Sequence, residues 1–494
     1  MGVTFYGTVD VGYADMSHGL PASGSFYVGP NYTIYGSKYA NGNVSTLTNN
    51  ALQQSSVGLK IEENIGYGLQ AIGKLETGFN PISGELADAC GSLLRNNGQF
   101  YANVDNYGDG SRCGQAFNGA AYGGLSSPLY GTLTIGRQNS LVNDGMGTYD
   151  PMGLSYAFSL IGYSGTPGGG IGDTETARWD DSVKYVFTYG PFHAAGMYTN
   201  GGQETPMVGD GYGANVGITY MGFSVDGFYT KENGAVSLSN TVNITPVPFP
   251  SGTVNGETAF ACGSTNPTCS FLKGTITNNE AWDVMAKYTF NVPGFFSEPA
   301  VSMKDAPCGG LKDAPCAPTP AKVTIYGGFQ EATLSNPGEL QQFYNGFTTI
   351  GGYRYLTGSG NLFDSNRVLD TAWAGVSYED GPWRLVGAWY WWSQNNYLTA
   401  ATGTNAITGL ANNSCAQVTV NNISSKAKGT FIGSTTGSNC SGDLNEGSFL
   451  IDYTFNRHFD IYAGVTFSEI SGGLASGFLQ DNNTTFTSGL RVKW

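Results

Sequence analysis

The stretch "TSGLRVKW", residues 487–494, alternates Leu490, Val492 and Trp494 with Arg491 and Lys493. A period of two is the signature of a β-strand with two unlike faces. Chain ends are usually polar and frayed, so a strand that stops on a large aromatic needs a partner to hold it. In hydrocarbon an open sheet edge is forbidden, because its unpaired N–H and C=O groups find no water. The expectation is a strand that pairs with the first one and closes a ring. Leu490, Val492 and Trp494 then face lipid, and Arg491 and Lys493 face a lumen.

The same alternation recurs along the chain. In "VTFYGTVDVGY" (3–13), Val3, Phe5, Val9, Val11 and Tyr13 oppose Thr4, Tyr6, Thr8 and Asp10. Val57, Leu59 and Ile61 oppose Lys60 and Glu62, and Leu69, Ala71, Leu75 and Phe79 oppose Gln70, Lys74 and Glu76. The connections alternate too. Tight turns fall at "ENIGYG" (63–68), "SSPLYG" (126–131), "TYGPF" (188–192), "YMGF" (220–223), "YEDGPW" (378–383) and "FNRHF" (455–459), with long Asn-, Gly-, Ser- and Thr-rich segments between them. One smooth rim and one elaborate rim mark an up-and-down barrel. The pattern predicts an all-β fold: a single domain, 1–494, forming a 16-stranded antiparallel transmembrane β-barrel with long extracellular loops. The strands fall near 2–15, 53–64, 68–80, 118–127, 131–138, 178–189, 191–200, 211–221, 222–232, 279–290, 322–335, 367–379, 382–394, 446–456, 458–470 and 484–494. The segment 291–321 breaks the alternation. It should be a short turn, yet it holds the tandem "KDAPCGGLKDAPC" (304–316); we read it as a periplasmic insertion, the alternative being a slip in the strand count.

Composition agrees. Charged residues are 12% of the 494, with 74 Gly, 30 Tyr and 27 Phe, which suits neither an ordinary soluble surface nor a helical membrane protein. The densest apolar patch, "LVGAWYWW" (385–392), falls far short of the roughly 18 residues a membrane helix needs. A large secreted β-sandwich or solenoid is the alternative that composition leaves. The net charge of −15 argues against nucleic-acid binding, which calls for a basic stripe. Eight cysteines, Cys90, Cys113, Cys262, Cys269, Cys308, Cys316, Cys415 and Cys440, fall two by two within connecting segments, as disulfides in an oxidising compartment do; none has zinc-site spacing. "MGVTFYG" reads as strand at once, so we expect a mature chain behind an added Met.

In order and spacing, these segments resemble the general trimeric porins of Gram-negative outer membranes. The resemblance rests on "VTFYGTVDVGY", on "SSVGLKIEENIGYGLQAIGKLETGFN" (55–80), on "GTLTIGRQNS" (131–140), on "DPMG" (150–153) and on "RWDDSVKYV" (178–186). Trp494 resembles the terminal aromatic that serves such barrels as an assembly and closure signal, although Phe is commoner there. The long Cys-bearing loops depart from the family pattern. The resemblance implies a homotrimer in the outer membrane, set among lipid and lipopolysaccharide, that passes small hydrophilic solutes.

It also implies that the third loop, 139–177, folds into the lumen and narrows it. That loop carries Asp144, Asp150, Asp173 and Glu175 with Tyr149 and Tyr156, and no Lys or Arg. Alternation places Lys60, Lys74, Arg178, Lys184, Arg491 and Lys493 on the lumen side. Arg137 breaks alternation but resembles a constriction residue of the family. An acidic loop against a basic wall would set a transverse field across the waist. The candidate constriction is therefore Lys60, Lys74, Arg137, Asp144, Asp150, Arg178 and Lys184. Cross-strand ion pairing such as Lys74 with Glu76 is the plainer role for some of these. Tyr and Trp suit interfacial girdles better than a sugar slide, with "WYWW" (389–392) the stretch to watch, since some of its rings must point inward.

Catalysis finds no support. His18, His193 and His458 accompany no nucleophile elbow, and "GTPGGGIG" (165–172) lacks the Lys-Ser/Thr of a phosphate loop. No cofactor is expected, though "NVDNYGDG" (103–110) could hold a divalent cation. The functional expectation is passive diffusion of ions and small hydrophilic solutes. The alternatives are a substrate-selective porin or a surface adhesin using its disulfide-pinned loops.

Overall fold

The computed structural model describes residues 2–18, 42–88, 107–109, 113–162, 177–201, 210–240, 253–254, 257–258, 272–296, 320–336, 346–350, 353–357, 363–397, 418–420, 429–431, 439–475 and 480–494. Sixteen of its strands form one antiparallel ring. They are β1 (Gly2–Met16), β2 (Ser56–Gly66), β3 (Leu69–Gly78), β4 (Ala120–Ser127), β5 (Gly131–Asn139), β6 (Arg178–Tyr189), β7 (Phe192–Asn200) and β8 (Asp210–Tyr220). The ring continues through β9 (Phe223–Asn240), β10 (Leu272–Val292), β11 (Ala321–Ser335), β12 (Arg367–Asp380), β13 (Trp383–Gln394), β14 (Gly442–Asn456), β15 (Phe459–Ile470) and β16 (Asn482–Lys493). Each pairs with the next, and β16 returns to β1 from Thr8↔Lys493 to Met16↔Thr485. No helix among the described residues is long and apolar enough to cross a membrane; the strands supply the crossing.

The seam answers the question posed by Trp494. Gly7 and Trp494 exchange backbone hydrogen bonds of 3.2 and 3.1 Å. The indole lies over Gly7, where a Cβ would meet ring carbon at 2.2 Å, and 6.3 Å from the Phe5 ring. Further up, Gly12 faces Gly489, and a Cβ on Gly12 would stand 2.2 Å from the backbone oxygen of Ser488. Gly12→Ala should therefore strain the closing pair by about 1–3 kcal/mol, read as a lower midpoint for heat-induced loss of the compact band on gels. An unchanged midpoint would mean that the seam can yield.

Outward residues such as Phe5, Ile135, Val216 and Phe486 are exposed apolar groups, while inward Thr8, Thr134, Ser182 and Thr371 are polar and shielded. The face assignment read from alternation holds. An aromatic chain runs around the short-turn rim: Phe295, Phe296, Trp383, Tyr453, Phe455 and Phe459 stack in series at centroid distances of 4.6 to 5.7 Å. This is the girdle expected at a membrane–water boundary.

Two strands differ from expectation. β9 and β10 continue to Asn240 and Leu272, because Asn233–Gly234 forms a bulge, with Gly234 at φ 66°, and pairing resumes at Ala235↔Thr277. β10 and β11 pair without interruption to Val292↔Ala321, so the strand count does not slip there. The segment between them leaves from the short-turn rim, and 297–319, including the tandem repeat, lie outside the described residues.

Candidate constriction site

Loop 3 begins with helix α1 (Leu141–Tyr149), whose N-cap Ser140 accepts from the amide of Asn143. The helix buries Leu141, Val142, Met146 and Tyr149 and packs against β7 through β11. The chain then runs along the inside of the barrel through Met152, Tyr156, Phe158, Leu160 and Ile161, which join one apolar cluster with wall residues such as Met285, Trp373 and Leu450. This is why a loop inside the barrel can hold its place: it carries its own apolar face to a matching patch of wall.

Polar contacts fix its path. The Trp373 indole donates to the Tyr149 carbonyl (3.1 Å), Lys287 Nζ to that of Thr148 (3.1 Å) and Arg384 to that of Pro151 (2.9 Å). Asp150, 3% exposed, accepts from the Tyr390 hydroxyl at 2.5 Å and from the amides of Met152 and Leu154. The Tyr149 hydroxyl reaches Ser224 and Asp226, and Asp226 also holds Asn215 and His193. Farther on, Thr466 donates to the Ala157 carbonyl at 2.9 Å.

Loop 1 helps. Its strand Val44–Asn49 pairs with the upper half of β1, and β2 with the lower half. Residues 50–55, between the two, turn inward. Asp10, fully shielded from solvent, accepts from the amides of Leu52 (2.7 Å) and Gln53 (2.8 Å) and from Tyr462 (2.6 Å). The Ala51 carbonyl then takes the Ser155 hydroxyl (2.8 Å) and the Ala157 amide (2.9 Å). Residues 155–157 of loop 3 are clasped by loop 1.

A scan against protein families matches residues 2–297, more than half of the chain, to a family described as Gram-negative porin. The chain belongs to the Gram-negative porin family. An outer membrane porin protein of Bordetella pertussis is 28% identical over 185 residues, which span 37% of this chain and 38% of that relative. Among solved structures, an anion-selective porin from Comamonas acidovorans aligns over 100% of this chain and 99% of its own, at TM-score 0.53 and 13% identity. An outer membrane protein of Vibrio cholerae lacking its loop L8 aligns over the same shares at 0.50 and 12%. At such identities these likenesses establish the barrel alone. Family membership places this porin in the outer membrane.

The residues singled out from sequence separate into groups. Lys60 and Lys74 stand side by side in the register of β2 and β3. Both ammoniums lie over the Tyr6 ring, at 5.3 and 5.8 Å, and Lys74 also pairs with Glu76 at 3.1 Å. Arg137 sits in a β-bulge. The β5–β6 register shifts between Gly136 and Gln138, and Gly136 takes a φ of 126°. The bulge turns inward a side chain that alternation would send to lipid. There Arg137 is buried, paired with Asp180 at 2.5 Å and bonded to the Asn118 carbonyl. Arg178 reaches the Gly119 carbonyl, so both arginines brace the start of β4. Lys184 pairs with the half-exposed Asp144 at 2.8 Å. Asp150 faces the wall, so it anchors the loop where the expectation had it line the waist. Asp173 and Glu175 lie outside the described residues, as do six of the cysteines; Cys113 and Cys440 are fully buried, and neither is a free thiol. The inward rings of "WYWW", Tyr390 and Trp392, are both buried, Tyr390 against Asp150 of loop 3, so they offer no slide to a sugar.

Sequence reading missed Asp10, Asp226, Tyr390, Lys287 and Arg384. Alternation could have put each on the inner face. That they grip loop 3 depends on where the loop lies, which local pattern does not encode.

Proposed function

We propose that the chain is an outer-membrane diffusion channel, assembled as a homotrimer among lipid and lipopolysaccharide, which passes ions and small hydrophilic solutes down their gradients. The observation that carries this reading is the one-sided filling of the barrel. Loop 3 covers the wall from β7 to β15, while the inner face of β2 and β3 keeps Lys60 and Lys74 in contact with solvent. A closed ring of this strand number encloses water unless something fills it, and here the filling is partial. The test is single-channel recording of the refolded full chain in planar bilayers. Insertions that open in three equal conductance steps are expected. Silence from correctly folded protein would overturn the channel reading, and a saturable drop in current on adding one solute would convert it to a substrate-selective one.

A further inference from the structure

Among the described residues the waist carries cations on both walls, a different distribution from the acidic loop against a basic wall that the sequence suggested. β2 and β3 lie half the ring away from β10 and β11, so Lys60 and Lys74 look across the lumen toward Lys287 and Lys322. Lys60, Lys74 and Lys287 all stand about five residues in from the short-turn ends of their strands. Lys287 lies over the Tyr149 ring at 5.4 Å, as Lys60 lies over Tyr6. Among the described residues, neither Lys60 nor Lys287 has a carboxylate partner.

Among the described residues, the cations around each lysine outnumber the accessible acids. On one wall, Lys74 and Arg178 both act on Glu76. On the other, Lys322 (3.2 Å) and Arg384 (4.0 Å) share Glu379. Among the described residues, most inner-face carboxylates are withdrawn from water instead. Asp10, Asp150, Asp226, Asp283, Asp452 and Asp460 are all buried; Asp10, Asp150 and Asp226 are capped by donors, and Asp452 and Asp460 share Arg491. Asp144 is half exposed but neutralised by Lys184. Glu62 is exposed on the inner face, one step nearer the short-turn rim than Lys60. A permeating ion responds most to the charges it approaches within a Debye length, about 8 Å at physiological ionic strength, and among the described residues those include ammonium groups on two opposed walls.

We infer that this channel selects anions, with Lys60 and Lys287 as the selectivity-determining pair, so its solutes are small inorganic anions and carboxylates. This rests on the diffusion-channel reading above. The test is the reversal potential of the wild-type channel and of Lys60→Gln, Lys287→Gln and the double variant under a KCl gradient. The expected wild-type potential has the sign of chloride preference. Each single variant moves it part of the way toward zero, and the double variant lowers the chloride-to-potassium permeability ratio several-fold. The singles lie on different walls, so they decide the matter even if the double variant fails to assemble. A wild-type potential of potassium sign, or variants that leave the potential where it was, would overturn the inference while leaving the channel intact. Absence of current in every sample would instead overturn the channel itself.

Discussion

Replacing Asp10 by alanine should cost more stability than any other single change on the inner wall. The carboxylate satisfies three donors at once: the buried amide of Leu52, the buried hydroxyl of Tyr462 and the partly buried amide of Gln53. Each stranded donor costs about 1–3 kcal/mol, and breaking a buried network of this kind costs on the order of 3–5 kcal/mol in all. The damage would spread, because residues 50–55 are seated on β1 through the same residue. The Asn50 amide donates to the Asp10 carbonyl, and the Asp10 amide donates to Ser55 Oγ, each at 3.0 Å. With that turn loosened, Ala51 no longer presents its carbonyl to Ser155 and Ala157, and this stretch of loop 3 is freed. The expected result is a marked drop in the heat-modification midpoint, together with flickering of the open channel. Asp10→Asn should recover part of the loss, since one amide oxygen can still accept. A variant with wild-type midpoint and a quiet channel would show that the clasp is incidental.

Why this clasp was illegible in the sequence while the barrel was not follows from the range of the forces involved. Which face each strand turns to lipid is a local property, repeated every second residue, so "TSGLRVKW" alone told which face of β16 meets lipid and that the strand needed a partner. Closure followed from the cost of open edges. The inner surface obeys no such repeat. Asp10 and Asp226 alternate like any lumen residue, and only the lie of loops 1 and 3 makes them anchors. Asp150 shows the opposite error. Its charge and its position in an inward loop suggested a pore acid, yet Tyr390, 240 residues away in sequence, takes it out of water. Arg137 lies between the cases. Its break in alternation was visible, and Gly136 before it was a cue to the bulge, but that it would pair with Asp180 rather than face the pore was not.

Asp150→Ala should unfasten the bend that follows α1. Removing the carboxylate strands the Tyr390 hydroxyl in a fully buried site and two amides of the loop itself, again at about 1–3 kcal/mol each, and leaves the Trp373, Lys287 and Arg384 contacts to carbonyls on either side as the nearest remaining tethers. Wild-type barrels should then show a steady conductance where the variant shows frequent transitions between levels, with the barrel's own heat-modification midpoint little changed, since the ring of strands does not depend on the loop. The pH dependence has a definite sign. Burial pushes the Asp150 carboxyl above the ordinary aspartate range, with the bonds from Tyr390, Leu154 and Met152 opposing it only in part. A raised value in the folded state means that the docked loop binds the proton more tightly than the released loop, so docking is firmest below the ordinary aspartate value and weakens as pH rises through the raised one. Flicker of the wild-type channel should accordingly increase as the bath is taken from acid toward neutrality, and that increase should be missing in Asp150→Ala, which has no proton to lose. Flicker that instead grows toward acid in the wild type, or a variant as steady as wild type at every pH, would show that loop 3 is held by its apolar face and the neighbouring carbonyl contacts without help from this carboxylate.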